Sequence, residues 1–261
     1  MPKTFGIKDL PALWRDYRFF RRLKPVVPRW EVEPSKTALL VLDMNYVCSH
    51  PEHGFGPTLI KAGLEPQFFY KRLDSTVIPS IQKLLTAFRQ NKLKIIYTTM
   101  GAGKEDLSDM TFAWRKIYPK IGYHKSYPGQ KGFEIRDEIK PEAGETVLLK
   151  KSSGAFASTN LLEILNKEGI DTLVLTGVET DCCLYNTMIE ATDRGIKVIV
   201  PDDACSALTQ SGHNIFLWLY ARLFFCQVKS TKELIEEISK AFNTCSSSVE
   251  QASVPARSGS G

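Results

Sequence analysis

The sequence predicts a three-layer α/β/α fold, with a six-stranded, mainly parallel sheet of Rossmann-like type between two layers of helices. Three observations predict it. Six short apolar runs alternate with segments of helical periodicity. The connections between them are mostly short. The run at 37–42 is apolar throughout rather than alternating, as in a strand buried on both faces.

The elements follow in order. Thr37 to Leu42 is the first strand and ends at Asp43. Ser49 to Gly63, with three glycines and two prolines, reads as loop. Val77, Ile78, Ile81, Leu84, Leu85 and Phe88 recur at helical spacing, which predicts a helix over Ser75 to Arg89. Lys94 to Thr99 is the second strand. Met100 to Lys131 lacks clean periodicity and reads as a long excursion, of the kind that builds one wall of a site. Phe133 to Ile139 reads as a short helical turn, and Glu145 to Leu149 as the third strand, ending at Lys150. Leu161, Leu162, Ile164 and Leu165 mark a helix that closes at Lys167-Glu168-Gly169. Leu173-Val174-Leu175 is the fourth strand, stopping at Thr176-Gly177, with a helix from about Cys183 to Arg194. Ile196 to Val200 is the fifth strand. Helices at Ser211–Ala221 and Thr231–Ala241 flank a sixth strand at Leu223–Val228. This divides the chain into a basic arm (1–36), one α/β domain (37–243) and a tail (244–261) whose composition predicts disorder.

The 261 residues carry a net charge of +5. The arm holds nine Lys/Arg against four acids, an excess equal to that whole net charge. The Arg18-Phe19-Phe20-Arg21-Arg22 cluster fits an arm that packs its aromatics and solvates its arginines better than it fits a nucleic-acid or membrane contact. No apolar run reaches the roughly 20 residues that span a bilayer. The N-terminus lacks the apolar core of a secretory signal, and the acids among its basic residues disfavour a transit peptide. Six cysteines (48, 182, 183, 205, 226 and 245) without CxxC spacing predict reduced thiols in a cytoplasmic setting.

In parallel sheets ligands bind outside the carboxyl ends of the strands. Asp43, Lys150 and Cys183 each stand at such an end or just after it. A cysteine at a helix N-terminus gains charge stabilisation as a thiolate. A thiol attacking an amide carbonyl needs a base, a balancing charge and oxyanion donors. Asp43 suits the first role and Lys150 the second, where it favours the ionised thiol. The backbone N–H groups of Cys183 and of the Val178-Glu179 turn suit the third. Each residue alone also has an ordinary reading: an Asp after a strand is often an N-cap, and a strand-end Lys with Lys151 beside it is usually solvated. Cys205 and Cys226 read as core filling. Cys182 is expected to point away from the site, because neighbours on a helix diverge by about 100°. His50 and His53 lie in a Gly/Pro loop without further ligands, so no metal and no cofactor are expected.

Together these residues resemble the isochorismatase-like cysteine hydrolase superfamily, which includes N-carbamoylsarcosine, ureidoacrylate and biuret amidohydrolases and nicotinamidases. The strand-plus-aspartate opening matches LLVLDM, and the lysine motif matches K-K-S-S-G-A-F. The nucleophile signature matches G-V-E-T-D-C-C. The resemblance runs from about Thr37 to Val228. It implies Asp43 as general base, Lys150 rather than Lys151 as the charge partner, and Cys183 as nucleophile. It also implies a six-stranded sheet, a cis peptide at Val178-Glu179 and a homo-oligomer, dimer or tetramer.

Departures bear on substrate. Met44-Asn45-Tyr46 replaces the usual Met-Gln-x, and Glu179 replaces a small residue beside the expected oxyanion donor. The metal set of nicotinamidases has no counterpart in TTMGAGKEDLSDM. The KEDLSDM stretch and Trp114-Arg115 resemble the ureido-hydrolase excursion. Asn45, Trp114 and Phe156 are the candidate substrate contacts. Alignment places Ala221 where biuret hydrolases carry a glutamine, which argues against biuret itself. The implied activity is metal-independent hydrolysis of a C–N bond in a small amide or ureido/carbamoyl compound through a thioester. The alternatives are a vinyl-ether hydrolase of isochorismatase type, in which the cysteine is dispensable, and a binding protein on the same fold.

Overall fold

The computed structural model describes residues 30–64, 66–217 and 226–252. Most of the basic arm, Ala221 and the end of the tail lie outside the described residues. Seven strands form one sheet: β1 (Thr37–Leu42), β2 (Lys94–Met100), β3 (Thr146–Lys150), β4 (Thr172–Val178), β5 (Lys197–Pro201), β6 (Cys205–Ser206) and β7 (Gln227–Lys229). Their order is β3-β2-β1-β4-β5-β7, with β6 paired to β4 off this path, and every pair is parallel. The chain therefore winds outward from β1 through β2 to β3, then returns to the other side of β1. The reversal lies between β1 and β4, and the crevice beyond their carboxyl ends is where such sheets hold ligands.

Both central strands are buried along their whole length, which explains their uninterrupted apolar character. Successive side chains feed opposite faces. Leu39 and Val41 join one core cluster, beneath the helix Ile78–Gln90 and its Ile81, Leu84 and Phe88. Ala38, Leu40 and Leu42 join the other, with Leu161 and Leu165 of the helix Leu161–Lys167 and Met188 of the helix Tyr185–Thr192.

Several elements differ from the sequence expectation. The 49–63 loop contains a helix, Phe55–Lys61, because Pro57 falls in its first turn, where no backbone donor is missed. The Ser75–Arg89 helix is joined on its N-terminal side by Gln67–Arg72 through a π turn at Leu73–Val77. The β6 strand is two residues long, too short to carry a period. It fills the gap where β5, paired to β4 only as far as Val174, has parted from that strand. The last helix continues to Ala252 rather than stopping at Ala241, since Thr244–Ala252 contains no Gly or Pro to break it.

Gly177 sets the spacing at the switch point. Its φ is +97°, and a Cβ there would lie 2.1 Å from the Leu42 carbonyl oxygen of β1. Only glycine allows the β1 and β4 ends to meet this closely. Gly177→Ala is expected to destabilise the fold by about 3 kcal/mol or more. Urea unfolding measures this, and an unchanged midpoint would contradict it.

Candidate active site

Asp43 leaves β1 with φ +53°, a left-handed conformation that is costly for a non-glycine residue. Its N–H reaches the Thr98 carbonyl at 3.2 Å, and Thr98 Oγ1 donates to its Oδ1 at 2.7 Å. Thr98 on β2 thus fixes the carboxylate from the neighbouring strand. The other oxygen, Oδ2, lies 2.9 Å from Lys150 Nζ and accepts no hydrogen bond besides this ion pair. It is the face of the carboxylate with capacity to take a proton.

Lys150, at the end of β3, is fully buried. Its neighbour Lys151 points the other way and pairs with Asp109 at 2.7 Å, as alternation along a strand requires. Around Lys150 Nζ stand the carbonyls of Ser152 (2.6 Å) and Ser153 (3.0 Å), Met100 Sδ (3.1 Å), Asp43 Oδ2 and Cys183 Sγ (3.4 Å). An ammonium has three protons, so these five neighbours share them. Burial opposes the lysine's charge, but Asp43 and Cys183 outweigh it and raise the pKa.

Cys183 sits in a π turn, Thr180–Leu184, that leads into the helix Tyr185–Thr192. The Val178-Glu179 peptide is cis. The Glu179 carbonyl accepts from the N–H groups of Cys182 (3.0 Å) and Leu184 (3.1 Å), and the Cys183 N–H between them does not join that carbonyl. Cys182 does not diverge from the site as expected. The π turn rotates less per residue than an α turn, and the two neighbouring thiols act on one another. They titrate as a pair. The neighbouring Cys182 thiol and burial push the Cys183 thiol well up, against the pull of Lys150. Cys183 in turn holds Cys182 below an ordinary thiol. Lys150 pulls Cys183 toward the ionised form, as expected, and Cys182 and burial oppose that pull. Asp43 Oδ2 lies nearer to the ammonium than the Cys183 sulfur does.

The candidate substrate contacts separate. Trp114 stands beside the lysine loop, its Nε1 donating to Ser153 Oγ at 3.0 Å and its ring 5.6 Å from Tyr118. Asn45 is a buried clamp, its amide donating to the Met100 and Gly132 carbonyls at 3.0 and 3.2 Å. Those bonds tie the chain after β1 to the end of β2 and commit both amide protons to structure. Phe156 packs in the second core cluster, under the Arg194 guanidinium at 5.2 Å. That arginine follows the far end of the helix that Cys183 leads into, so Phe156 is a correction: it serves the core. Cys205 and Cys226 are buried, and burial pushes Cys205 up to about 12. The rings of His50 and His53 each lie 5.3 Å from that of Tyr46, the first tilted and the second edge-on.

Sequence reasoning missed three contributors. Thr98 had a signal, a hydroxyl inside a buried strand that needs a partner. Tyr118, fully buried in the 100–131 excursion with its hydroxyl unpartnered, had none. Nor did His213. Arg72 donates to His213 Nε2 at 3.0 Å and to the Asp202 carbonyl at 2.7 Å. Because arginine carries donors only, Nε2 accepts, Nδ1 holds the proton, and it donates to Thr180 Oγ1 at 3.0 Å. His213 thereby anchors the first residue of the nucleophile's turn.

Burial and Arg72 push His213 down to about 4. Its unfolded value is about 6.5, so the unfolded chain binds the extra proton first as pH falls. The stability this neutral ring confers is full above about pH 6.5 and is lost on descending toward pH 4. Between pH 7 and pH 5 the wild type should lose about 2 kcal/mol more than His213→Gln. Denaturant titrations at the two values test this, and equal losses would contradict it.

A sequence model of the isochorismatase domain matches residues 37–233. The N-carbamoylsarcosine amidase of an Arthrobacter species is 29% identical over 167 residues, 64% of this chain and 58% of that protein. The secreted isochorismatase effector Isc1 of Verticillium dahliae (strain VdLs.17) is 45% identical over 126 residues, 45% of this chain and 65% of that protein. The chain thus spans less than two thirds of the length of these curated relatives. Among solved structures, a cysteine hydrolase from Pseudomonas syringae pv. phaseolicola 1448A superimposes with a TM-score of 0.69 at 26% identity, covering 84% of this chain and 99% of that one.

Proposed function

The chain belongs to the isochorismatase family, and from that premise we propose that it is a cysteine hydrolase of small amides or ureido/carbamoyl compounds. The observation that carries this reading is the single ammonium of Lys150 touching both Asp43 and Cys183. In the first half-reaction Asp43 Oδ2 takes the thiol proton as Cys183 Sγ bonds to the substrate carbonyl carbon. Lys150 balances the charge throughout. The Cys183 and Glu179 N–H groups receive the developing oxyanion. Asp43 passes its proton to the leaving nitrogen, the C–N bond breaks, and ammonia or an amine departs. Water, deprotonated by Asp43, then attacks the thioester, the C–S bond breaks, and the sulfur recovers its proton.

Trp114, hydrogen-bonded beside the lysine loop, supplies one wall for the substrate in this reading. The free thiols support a reducing, cytoplasmic setting, although one relative is named as secreted. Assembly as a dimer or tetramer belongs to the same reading.

A vinyl-ether hydrolase is the second reading, favoured by the 45% identity to a protein named as an isochorismatase effector. Rapid acid quench and intact-mass measurement over a panel of small amides separates the two. An acyl adduct on the wild type, absent from Cys183→Ala, is expected, with turnover in that variant down by at least about a thousandfold. Full activity of Cys183→Ala on a vinyl ether would replace the first reading with the second.

A further inference from the structure

Lys150 ends β3 and Cys183 follows β4, and in the sheet β2 and β1 lie between those two strands. The segment after Lys150 crosses that gap. Residues 152–160 form neither helix nor strand, yet the carbonyls of Ser152 and Ser153 hold the Lys150 ammonium at 2.6 and 3.0 Å. Whatever fixes this loop also places the charge.

Two side chains of the helix Tyr185–Thr192, which the nucleophile's turn leads into, fix it. Thr187 is fully buried. Its hydroxyl donates to the Cys183 carbonyl at 2.7 Å and accepts from the Ala155 N–H at 3.1 Å. A bond to the carbonyl four residues back is ordinary for a helical threonine. The second bond is the informative one, because through it a single hydroxyl links the nucleophile's own carbonyl to the lysine loop. The Glu190 carboxylate accepts from the Phe156 N–H at 2.9 Å. It lies against Gly154, where a Cβ would fall 2.2 Å from Glu190 Oε2. Thr187 and Glu190 are three residues apart and so share one face of the helix. The loop braces itself as well: Ser152 Oγ donates to the Gly154 carbonyl at 2.7 Å and pairs with Ser158 Oγ at 2.7 Å.

We propose that Thr187 and Glu190 are positioning residues of the hydrolase, clamping the lysine loop to the nucleophile's helix so that one ammonium reaches Asp43 and Cys183 together. This rests on the amidohydrolase reading and adds to it the residues that fix its charge geometry. Neither side chain touches the reacting atoms. With the clamp released, the loop and the ammonium it holds are free to follow Asp43 at 2.9 Å and to leave the sulfur at 3.4 Å, the longer of the two contacts. Ionisation of Cys183 then loses its cation, and the loss falls on the chemical step rather than on binding.

Four full-length variants test the clamp. Thr187→Val removes both hydrogen bonds at nearly constant volume, and Thr187→Ser keeps them. Glu190→Leu removes the acceptor, and Glu190→Gln keeps one. The readout is the pH profile of Cys183 alkylation by iodoacetamide, followed by peptide mass so that Cys182 is counted separately, beside kcat and KM on a panel of small amides. Thr187→Val and Glu190→Leu should each move the profile up by at least about half a pH unit and lower kcat by at least about tenfold, with KM within about twofold. Thr187→Ser and Glu190→Gln should stay near the wild type. A merely structural role would lower the urea midpoint and leave the alkylation profile in place, and that result overturns the clamp. So does a Thr187→Ser profile displaced as far as that of Thr187→Val. If Thr187→Val does not fold, the half-buried Glu190 decides alone, and an unmoved profile in Glu190→Leu overturns the proposal. Displaced profiles in a protein whose wild type hydrolyses no amide would leave the clamp standing and overturn the amidohydrolase reading instead.

Discussion

The site depends on one buried ammonium shared between two acids. Lys150 lies 2.9 Å from a carboxylate oxygen and 3.4 Å from a thiol sulfur, with two carbonyls completing its cage. One positive charge in a closed space stabilises one negative charge well and two poorly. The negative charge therefore sits on Asp43 or on Cys183. Moving a proton between them changes no net charge, which suits a cycle in which sulfur must act in turn as nucleophile and leaving group.

The sheet makes this sharing possible. Asp43 comes from β1 and Cys183 from the turn after β4, neighbours at the switch point. Lys150 comes from β3, two strands away from β1, and bridges that distance with its long side chain. Gly177 lets β1 and β4 approach, Thr98 fixes the aspartate, and the Arg72–His213–Thr180 chain fixes the start of the nucleophile's turn. These supports come from four different stretches of sequence.

That dispersion decides what was legible beforehand. The buried strands were legible because a strand covered on both faces is apolar throughout. Asp43, Lys150 and Cys183 were legible because reactive residues at strand ends obey a rule of sheet topology. The inward turn of Cys182 was not, since the α period assumed for it fails in a π turn. Phe156 was misplaced because a motif position says nothing of the sheet face to which its ring turns. Asn45 looked like a pocket residue but commits its amide N–H groups to backbone carbonyls 55 and 87 residues away in sequence, while its buried Oδ1 is left without a partner. His213 and Tyr118 matter through partners that no local pattern could announce.

The charge partition is most directly tested by NMR titration of protein carrying 13Cβ-labelled cysteine, with Cys183 assigned by its absence from Cys183→Ala. In the wild type the Cys183 signal should stay that of a thiol through pH 8. In Asp43→Asn, where Lys150 loses its nearer anion, the transition to thiolate should move to lower pH. A thiolate signal for wild-type Cys183 at neutral pH, or a transition unmoved by Asp43→Asn, would contradict the account.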